Sequence, residues 1–236
     1  PTSSESGANV NNNAVERKSE RPKSNASSQK KVNFLNVWLL PSVASYVLCF
    51  ACLKSVNAII MSWLLFYLFS IGLHKFSSSI TVAWSICIFL GSLAMGYYNN
   101  SVNKIGLIVP LLFTAFIFAY LGAEYERNSG YHYLLMMVLS GLCFGGPYGL
   151  IGSKITLLLG KNPKIRDRQG AVGAIISVME GFGLFCGAFF VLIVPYMGLK
   201  HLFYLPSILC LISSAILFLE YRKEIQEDEK DLFAKR

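Results

Sequence analysis

Two ionisable side chains, Lys54 and Glu180, stand within long apolar stretches of this 236-residue sequence. An ionisable group at the centre of a bilayer costs about 2.5–3.5 kcal/mol on insertion scales, so it usually has a partner or a function. The pattern leaves two interpretations open. Either Lys54 and Glu180 pair with each other, or they line a polar cavity in which the lysine meets an anionic substrate.

Two neutral polar residues fit the second interpretation. Asn57 follows Lys54 by three residues, so helical geometry places both side chains on one face. Tyr148 lies in another apolar stretch. An ammonium, an amide and a phenol together suit an oxyanion ligand that carries hydroxyl groups. We therefore predict Lys54, Asn57, Tyr148 and Glu180 as substrate-binding residues.

The other reactive side chains give weaker patterns. His74, His132 and His201 fall at the ends of apolar stretches, and the sequence offers no Ser or Cys nucleophile that can be matched to them. Cys49 and Cys52 have the spacing of a metal or redox pair, but no second pair or nearby His completes such a site. The sequence therefore predicts no catalytic residue, no metal site and no cofactor, and a membrane-embedded enzyme is the weaker class.

Glycines cluster in the fourth and fifth apolar stretches. Small residues let membrane helices approach closely, so helix packing explains most of them. Gly146 and Pro147 have a second interpretation, a kinked helix that lines a cavity. Lys154 lies within about one and a half turns of the end of its stretch, where a long side chain reaches the interface, and is interpreted as structural.

The composition is that of a membrane protein. Hydrophobic residues make up 54% of the chain and charged residues only 14%, with a mean hydropathy of +0.50. Soluble domains carry about 25% charged residues. This deficit argues against a disordered protein and against a soluble enzyme.

The apolar stretches predict an all-α fold with six membrane-spanning helices. Pro41 separates an interfacial lead-in, 34–43, from the first span. The predicted spans are 44–72, 78–98, 104–123, 131–159, 171–197 and 201–220. We predict that residues 1–33 form a flexible linker, that residues 34–221 form a six-helix bundle, and that residues 222–236 form a charged tail. Counted from the ends of their spans at 1.5 Å per helical residue, the depths of Lys54, Glu180 and Tyr148 are about 14–18 Å from the same side of the membrane.

The basic residues predict the orientation of the bundle. Sixteen of them fall on the side that holds both termini and three on the opposite side. Because Lys and Arg gather in cytoplasmic loops, both termini are predicted to be cytoplasmic. Membrane topology therefore explains the net charge of +8, and we predict no nucleic-acid partner.

Three segments resemble eukaryotic sugar-phosphate exchangers of the major facilitator superfamily. The run from Ala51 to Tyr67, with Lys54 nine positions before Trp63, resembles their seventh helix. The run Gly145-Gly-Pro-Tyr148-Gly-Leu-Ile151, with Leu159-Gly160 after it, resembles their tenth helix. The run from Ala171 to Gly187, with an acidic residue before Gly181-Phe-Gly183, resembles their eleventh.

This resemblance implies the C-terminal six-helix half of a twelve-helix transporter. Residues 1–33 would then end the cytoplasmic linker between the halves. The implied partners are the N-terminal six-helix half of the same protein, the lipid bilayer, a phosphorylated small molecule and inorganic phosphate. The resemblance also points to the membrane of the endoplasmic reticulum.

The chain departs from the family pattern at three places. Asn100 stands where the loop after helix eight usually keeps an Asp, and Leu158 replaces the acidic residue before Leu159-Gly160. Bacterial organophosphate antiporters place the helix-seven cation six positions before the Trp, where this chain has Asn57.

Two functions follow from the sequence. The first is a secondary transporter, not an enzyme, that exchanges a phosphorylated sugar or glycerol phosphate for inorganic phosphate by alternating access. The second is a degenerate, non-transporting scaffold or sensor of the same fold, which the replacements at Asn100 and Leu158 favour. The retained Lys54, Tyr148 and Glu180 favour the transporter.

Overall fold

The computed structural model describes residues 43–98, 104–124, 130–152 and 171–234. Within these ranges the chain forms six long helices and no β-strand. The helices are α1 (Val43–Ser70), α2 (His74–Tyr98), α3 (Lys104–Ala123), α4 (Gly130–Leu150), α5 (Ala171–Met197) and α6 (Tyr204–Ala234), with a short 3₁₀ helix, Leu199–His201, before α6. All six are long and apolar enough to cross a membrane. The predicted all-α membrane fold is confirmed, and the chain is an integral membrane protein.

Some helix boundaries differ from the prediction. Helix α2 begins at His74 rather than at 78, and α6 continues to Ala234 rather than ending near 220. Glu, Lys, Gln and Ala are strong helix formers, so the charged residues after 220 extend α6 beyond its apolar part. The linker 1–33, residues 34–42 of the predicted lead-in 34–43, the end of the fourth span and residues Asn100, Lys154 and Leu158 lie outside the described residues, and Val43 is already the first residue of α1.

A glycine turn reverses the chain between α1 and α2. Gly72 has a φ of 79°, which only glycine adopts without strain. The N–H of Leu73 donates to the carbonyl of Leu68 (2.9 Å), and that of Gly72 donates to the carbonyl of Phe69 (3.1 Å). These two bonds are those of a Schellman motif, which satisfies the last carbonyls of a helix. The turn lets α2 start directly after it.

Helix α1 lies at the centre of the packing. It is the most buried of the six helices and contacts α5 and α6 extensively and α2 to a smaller extent. Helix α2 packs chiefly on α4, and α3 packs on α6 and α4. Helices α2 and α5 are the least buried. This arrangement brings the polar residues of α1 against α5.

Glycines permit the close contact between α2 and α4. A Cβ added to Gly145 would overlap the backbone carbonyl of Ile88, and one added to Gly91 would overlap that of Leu142. The helices therefore touch backbone to backbone, and close packing is confirmed for Gly145 of the fourth predicted span. It does not explain Gly173 and Gly181, where an added Cβ would meet nothing within 4 Å.

Large apolar side chains cover the outside of the bundle. Phe116 is 69% exposed, Phe185 70% and Leu192 68%. A surface so rich in exposed apolar groups would aggregate in water but suits contact with lipid or another membrane helix.

Candidate functional site

Lys54 and Glu180 form an ion pair between α1 and α5. The Nζ of Lys54 lies 2.5 Å from Oε2 of Glu180, and the two side chains are 21% and 46% exposed. The stem of Lys54 lies beside Gly183, where an added Cβ would be 3.3 Å from the Cβ of Lys54. The absence of a side chain at Gly183 therefore lets the lysine run along α5 to reach Glu180.

A cleft opens beside this ion pair. It has a volume of about 370 Å³, and its polar lining comes from Lys54, Asn57 and Ser62 of α1. The rest of its wall is small or apolar, formed by Ala58, Gly183, Leu184, Gly187, Ala188 and Val191. The lining residues recur every three to four positions on both helices, so one face of α1 and one face of α5 form the cleft.

Contacts along the cleft show that α1 and α5 run in the same direction. Lys54 faces Gly183, and Ala58 faces Gly187, where an added Cβ would be 3.3 Å from the Cβ of Ala58. Farther along, the indole Nε1–H of Trp63 donates to the carbonyl of Val191 (3.0 Å). The cleft thus lies between two polar links, the ion pair at one end and the Trp63 hydrogen bond at the other.

Aromatic rings surround the charged end of the cleft. The Nζ of Lys54 lies 5.4 Å from the ring centroid of Phe50, within the range of a cation–π contact. Phe50 stacks on Tyr148 with 6.0 Å between centroids, and Tyr148 stacks on Phe144 at 5.5 Å. Tyr148 is therefore linked to Lys54 through the ring of Phe50. The ammonium of Lys54 can bind an anion other than the Glu180 carboxylate.

The structure thus brings the four predicted binding residues near one another in two groups. Lys54 and Asn57 line the cleft. Glu180 pairs with Lys54, and Tyr148 stacks on Phe50, whose ring lies under the lysine; neither Glu180 nor Tyr148 is part of the cleft lining. Of the two interpretations of Lys54 and Glu180, direct pairing is observed, and the cleft beside the pair is compatible with the other.

Gly146 packs against α2, and α4 runs on through Pro147. Helix α4 continues through both residues to Leu150 and is followed by a π-helical turn at Ile151 and Gly152. Gly146 faces α2, where an added Cβ would lie 2.9 Å from the Cβ of Met95. Pro147 lacks an N–H group and precedes Tyr148. A kink that shapes the cavity stays a prediction.

Sequence reasoning missed Phe50 and Ser62. Phe is common in membrane spans, so Phe50 gave no distinct signal. Ser62 follows Lys54 by eight residues and Ala58 by four, so a search along the face of Lys54 would have found it.

The cysteines pack within the bundle. The Sγ of Cys49 lies 2.9 Å from the Oγ of Ser213, a contact that joins α1 to α6. Among the residues that the structure describes, no group of three or more His, Cys, Asp or Glu side chains is arranged to hold a metal ion.

The chain is similar to curated proteins named for sugar phosphates. It is 26% identical to "Sugar phosphate exchanger 3" of Mus musculus over 156 residues, which cover 65% of this chain and 32% of the relative. It is 26% identical to the protein of the same name from Gallus gallus over 199 residues, which cover 82% of this chain and 39% of the relative.

A plant relative carries a related name. The chain is 26% identical to "Putative glycerol-3-phosphate transporter 5" of Arabidopsis thaliana over 166 residues, 64% of this chain and 32% of the relative. The chain thus spans about a third of the length of the curated relatives it matches. No family model and no solved structure matches it. The relatives confirm the predicted resemblance to sugar-phosphate exchangers.

Proposed function

We propose that this chain forms the C-terminal half of a secondary transporter that exchanges a phosphorylated sugar or glycerol phosphate for inorganic phosphate. The names of the relatives support a phosphate-linked transporter rather than an enzyme. The observation that carries the proposal is the position of Lys54, a cation beside a cleft of ligand size in a bundle of membrane-spanning helices.

In this mechanism Lys54 binds the phosphoryl group. A phosphate oxygen takes the place of the Glu180 carboxylate at the lysine, and the phenol of Tyr148 donates a second hydrogen bond. Asn57 lies on the same face of α1 and contacts the rest of the ligand. Because charge-assisted hydrogen bonds are about twice as strong as neutral ones, the lysine supplies most of the affinity for the anion.

Alternating access requires a second wall for the cleft. We propose that the N-terminal six-helix half supplies this wall and that the two halves rock about the site near the middle of the membrane. The excess of basic residues on one side supports cytoplasmic termini, and the resemblance supports the membrane of the endoplasmic reticulum.

One observation favours a second function. Lys54 already has an anionic partner, so its charge is balanced without any ligand. A degenerate protein of the same fold could keep this pair for stability alone and act as a scaffold or sensor. The replaced acidic residues at Asn100 and Leu158 also agree with this alternative.

Exchange of labelled phosphate by the full-length protein in liposomes distinguishes the two functions. The transporter proposal requires phosphate–phosphate exchange that Lys54→Gln abolishes or reduces at least tenfold, with the variant still inserted and folded. Lys75→Gln is the matched control, because Lys75 is an exposed lysine at the start of α2, away from the cleft. Absence of exchange by the wild-type protein, or equal losses in both variants, would contradict the transporter proposal.

A further inference from the structure

The cleft between α1 and α5 has a charged end and a neutral end. Lys54 and its partner Glu180 lie at one end. Ser62 lies eight residues farther along α1, which corresponds to about 12 Å at the helical rise. Among the described residues that line the cleft, Lys54 is the only charged one.

The neutral part offers hydrogen-bonding groups that the protein does not use. Serines in membrane helices often donate to a carbonyl one turn earlier, as Ser55 does to Ala51 (2.7 Å) and Ser85 does to Thr81 (3.2 Å). Ser62 is exposed in the cleft, and its hydroxyl has no hydrogen-bond partner among the described residues. The amide of Asn57 likewise has none within the described part of the chain. Both groups are therefore available to a ligand.

The walls of the neutral part admit a narrow body. Gly183, Gly187, Ala58 and Ala188 project little or no side chain, which leaves the volume of the cleft open. The Trp63–Val191 hydrogen bond limits the cleft at its far end. Free phosphate at Lys54 would fill only the charged end and leave the amide and the hydroxyl unused.

We propose that the part of the cleft between Asn57 and Ser62 is a subsite for the uncharged, hydroxylated body of a phosphorylated polyol or sugar. Asn57 and Ser62 hydrogen-bond its hydroxyl groups while its phosphoryl group sits at Lys54. Ser62 is then a specificity residue: it contributes to binding of the organic phosphate and not to binding of inorganic phosphate. This inference rests on the proposed phosphate exchange.

Inhibition of labelled-phosphate exchange tests the subsite in the full-length protein. The inhibitors are unlabelled inorganic phosphate, glycerol 3-phosphate and a hexose phosphate. Ser62→Ala removes one neutral hydrogen bond, so it weakens inhibition by an organic phosphate about two- to tenfold and leaves inhibition by inorganic phosphate unchanged. Ser78→Ala is the matched control, because Ser78 is an exposed serine of α2 that lines a different groove.

A second variant tests the space rather than the hydrogen bond. Ala188 is exposed on the wall of the cleft, so Ala188→Leu narrows the cleft without disturbing the buried core. We expect it to weaken inhibition by the hexose phosphate more than by glycerol 3-phosphate and to spare inorganic phosphate.

The outcomes separate this inference from the function on which it rests. Equal effects of Ser62→Ala and Ala188→Leu on organic and inorganic phosphate would overturn the subsite while leaving the exchange of phosphate intact. Wild-type exchange that no organic phosphate inhibits would also overturn it. Absence of any phosphate exchange by the wild-type protein would instead overturn the proposed function.

Discussion

Replacing Glu180 with glutamine removes the carboxylate that neutralises Lys54 and keeps a side chain of nearly the same size. If phosphate binds at Lys54, the Glu180 carboxylate competes with it, because Oε2 lies 2.5 Å from Nζ, where a phosphate oxygen would lie. Glu180→Gln should therefore tighten phosphate binding.

The exposure of the pair limits the size of this effect. The two side chains are 21% and 46% exposed on the open side of the bundle, and partly exposed ion pairs contribute at most about 1 kcal/mol. Release of that competition corresponds to about fivefold tighter binding of phosphate. Lys54→Gln has the opposite effect. It removes a charge-assisted hydrogen bond worth about 1.5–3 kcal/mol, so binding weakens about ten- to a hundredfold.

Equilibrium binding of labelled phosphate to the purified full-length protein measures both changes, with thermal unfolding of each variant recorded in parallel. Lys54→Arg adds a geometric test, because a planar guanidinium keeps the charge but does not place its donors as an ammonium does. The reasoning is refuted if Glu180→Gln weakens phosphate binding. It is also refuted if each single variant unfolds at lower temperature while the double variant Lys54→Gln, Glu180→Gln recovers both stability and exchange, since the pair would then be structural.

Two further predictions concern the fold. Gly145→Ala should lower the stability of the bundle by about 1–3 kcal/mol, because the added Cβ would push against the carbonyl of Ile88. Gly96→Ala is the control: its Cβ meets nothing within 4 Å, so the unfolding temperature should stay unchanged or rise slightly. Equal effects of the two variants would contradict the close packing of α2 and α4. A cysteine introduced at Arg127 should react with an impermeant thiol reagent only from the non-cytoplasmic side, and reaction from the cytoplasmic side would reverse the predicted orientation.

The sequence predicted the helices well because spans are set by length and hydropathy. Their ends were harder to predict, since they depend on local backbone chemistry. The turn at Gly72 needs only three residues, so His74 and Lys75, which the prediction placed in a loop, are already helical. At α6 the loss of apolar character after 220 marks the end of the apolar part but not the end of the helix.

The sequence predicted how deep in the membrane the site residues lie, but not which helix faces they share. Counting residues along each span placed Lys54, Glu180 and Tyr148 at similar depths. In the structure Glu180 pairs with Lys54, and Tyr148 stacks on Phe50, which lies beside the lysine. Depth gives no information about which faces of different helices meet, so the sequence left pairing and cavity as alternatives. Gly183 and Gly187 line the cleft and also lie in close contact with α1, so in sequence they are indistinguishable from ordinary packing glycines.

The unbroken course of α6 has a mechanical consequence. Its apolar part ends near 220, yet the helix continues for fourteen residues to Ala234. That extension is about 21 Å long at the helical rise and works as a lever arm attached to the bundle. A tilt of the bundle by about ten degrees would swing its tip through about 4 Å on this length. A probe fixed near the tip would therefore magnify reorientations that are small within the bilayer.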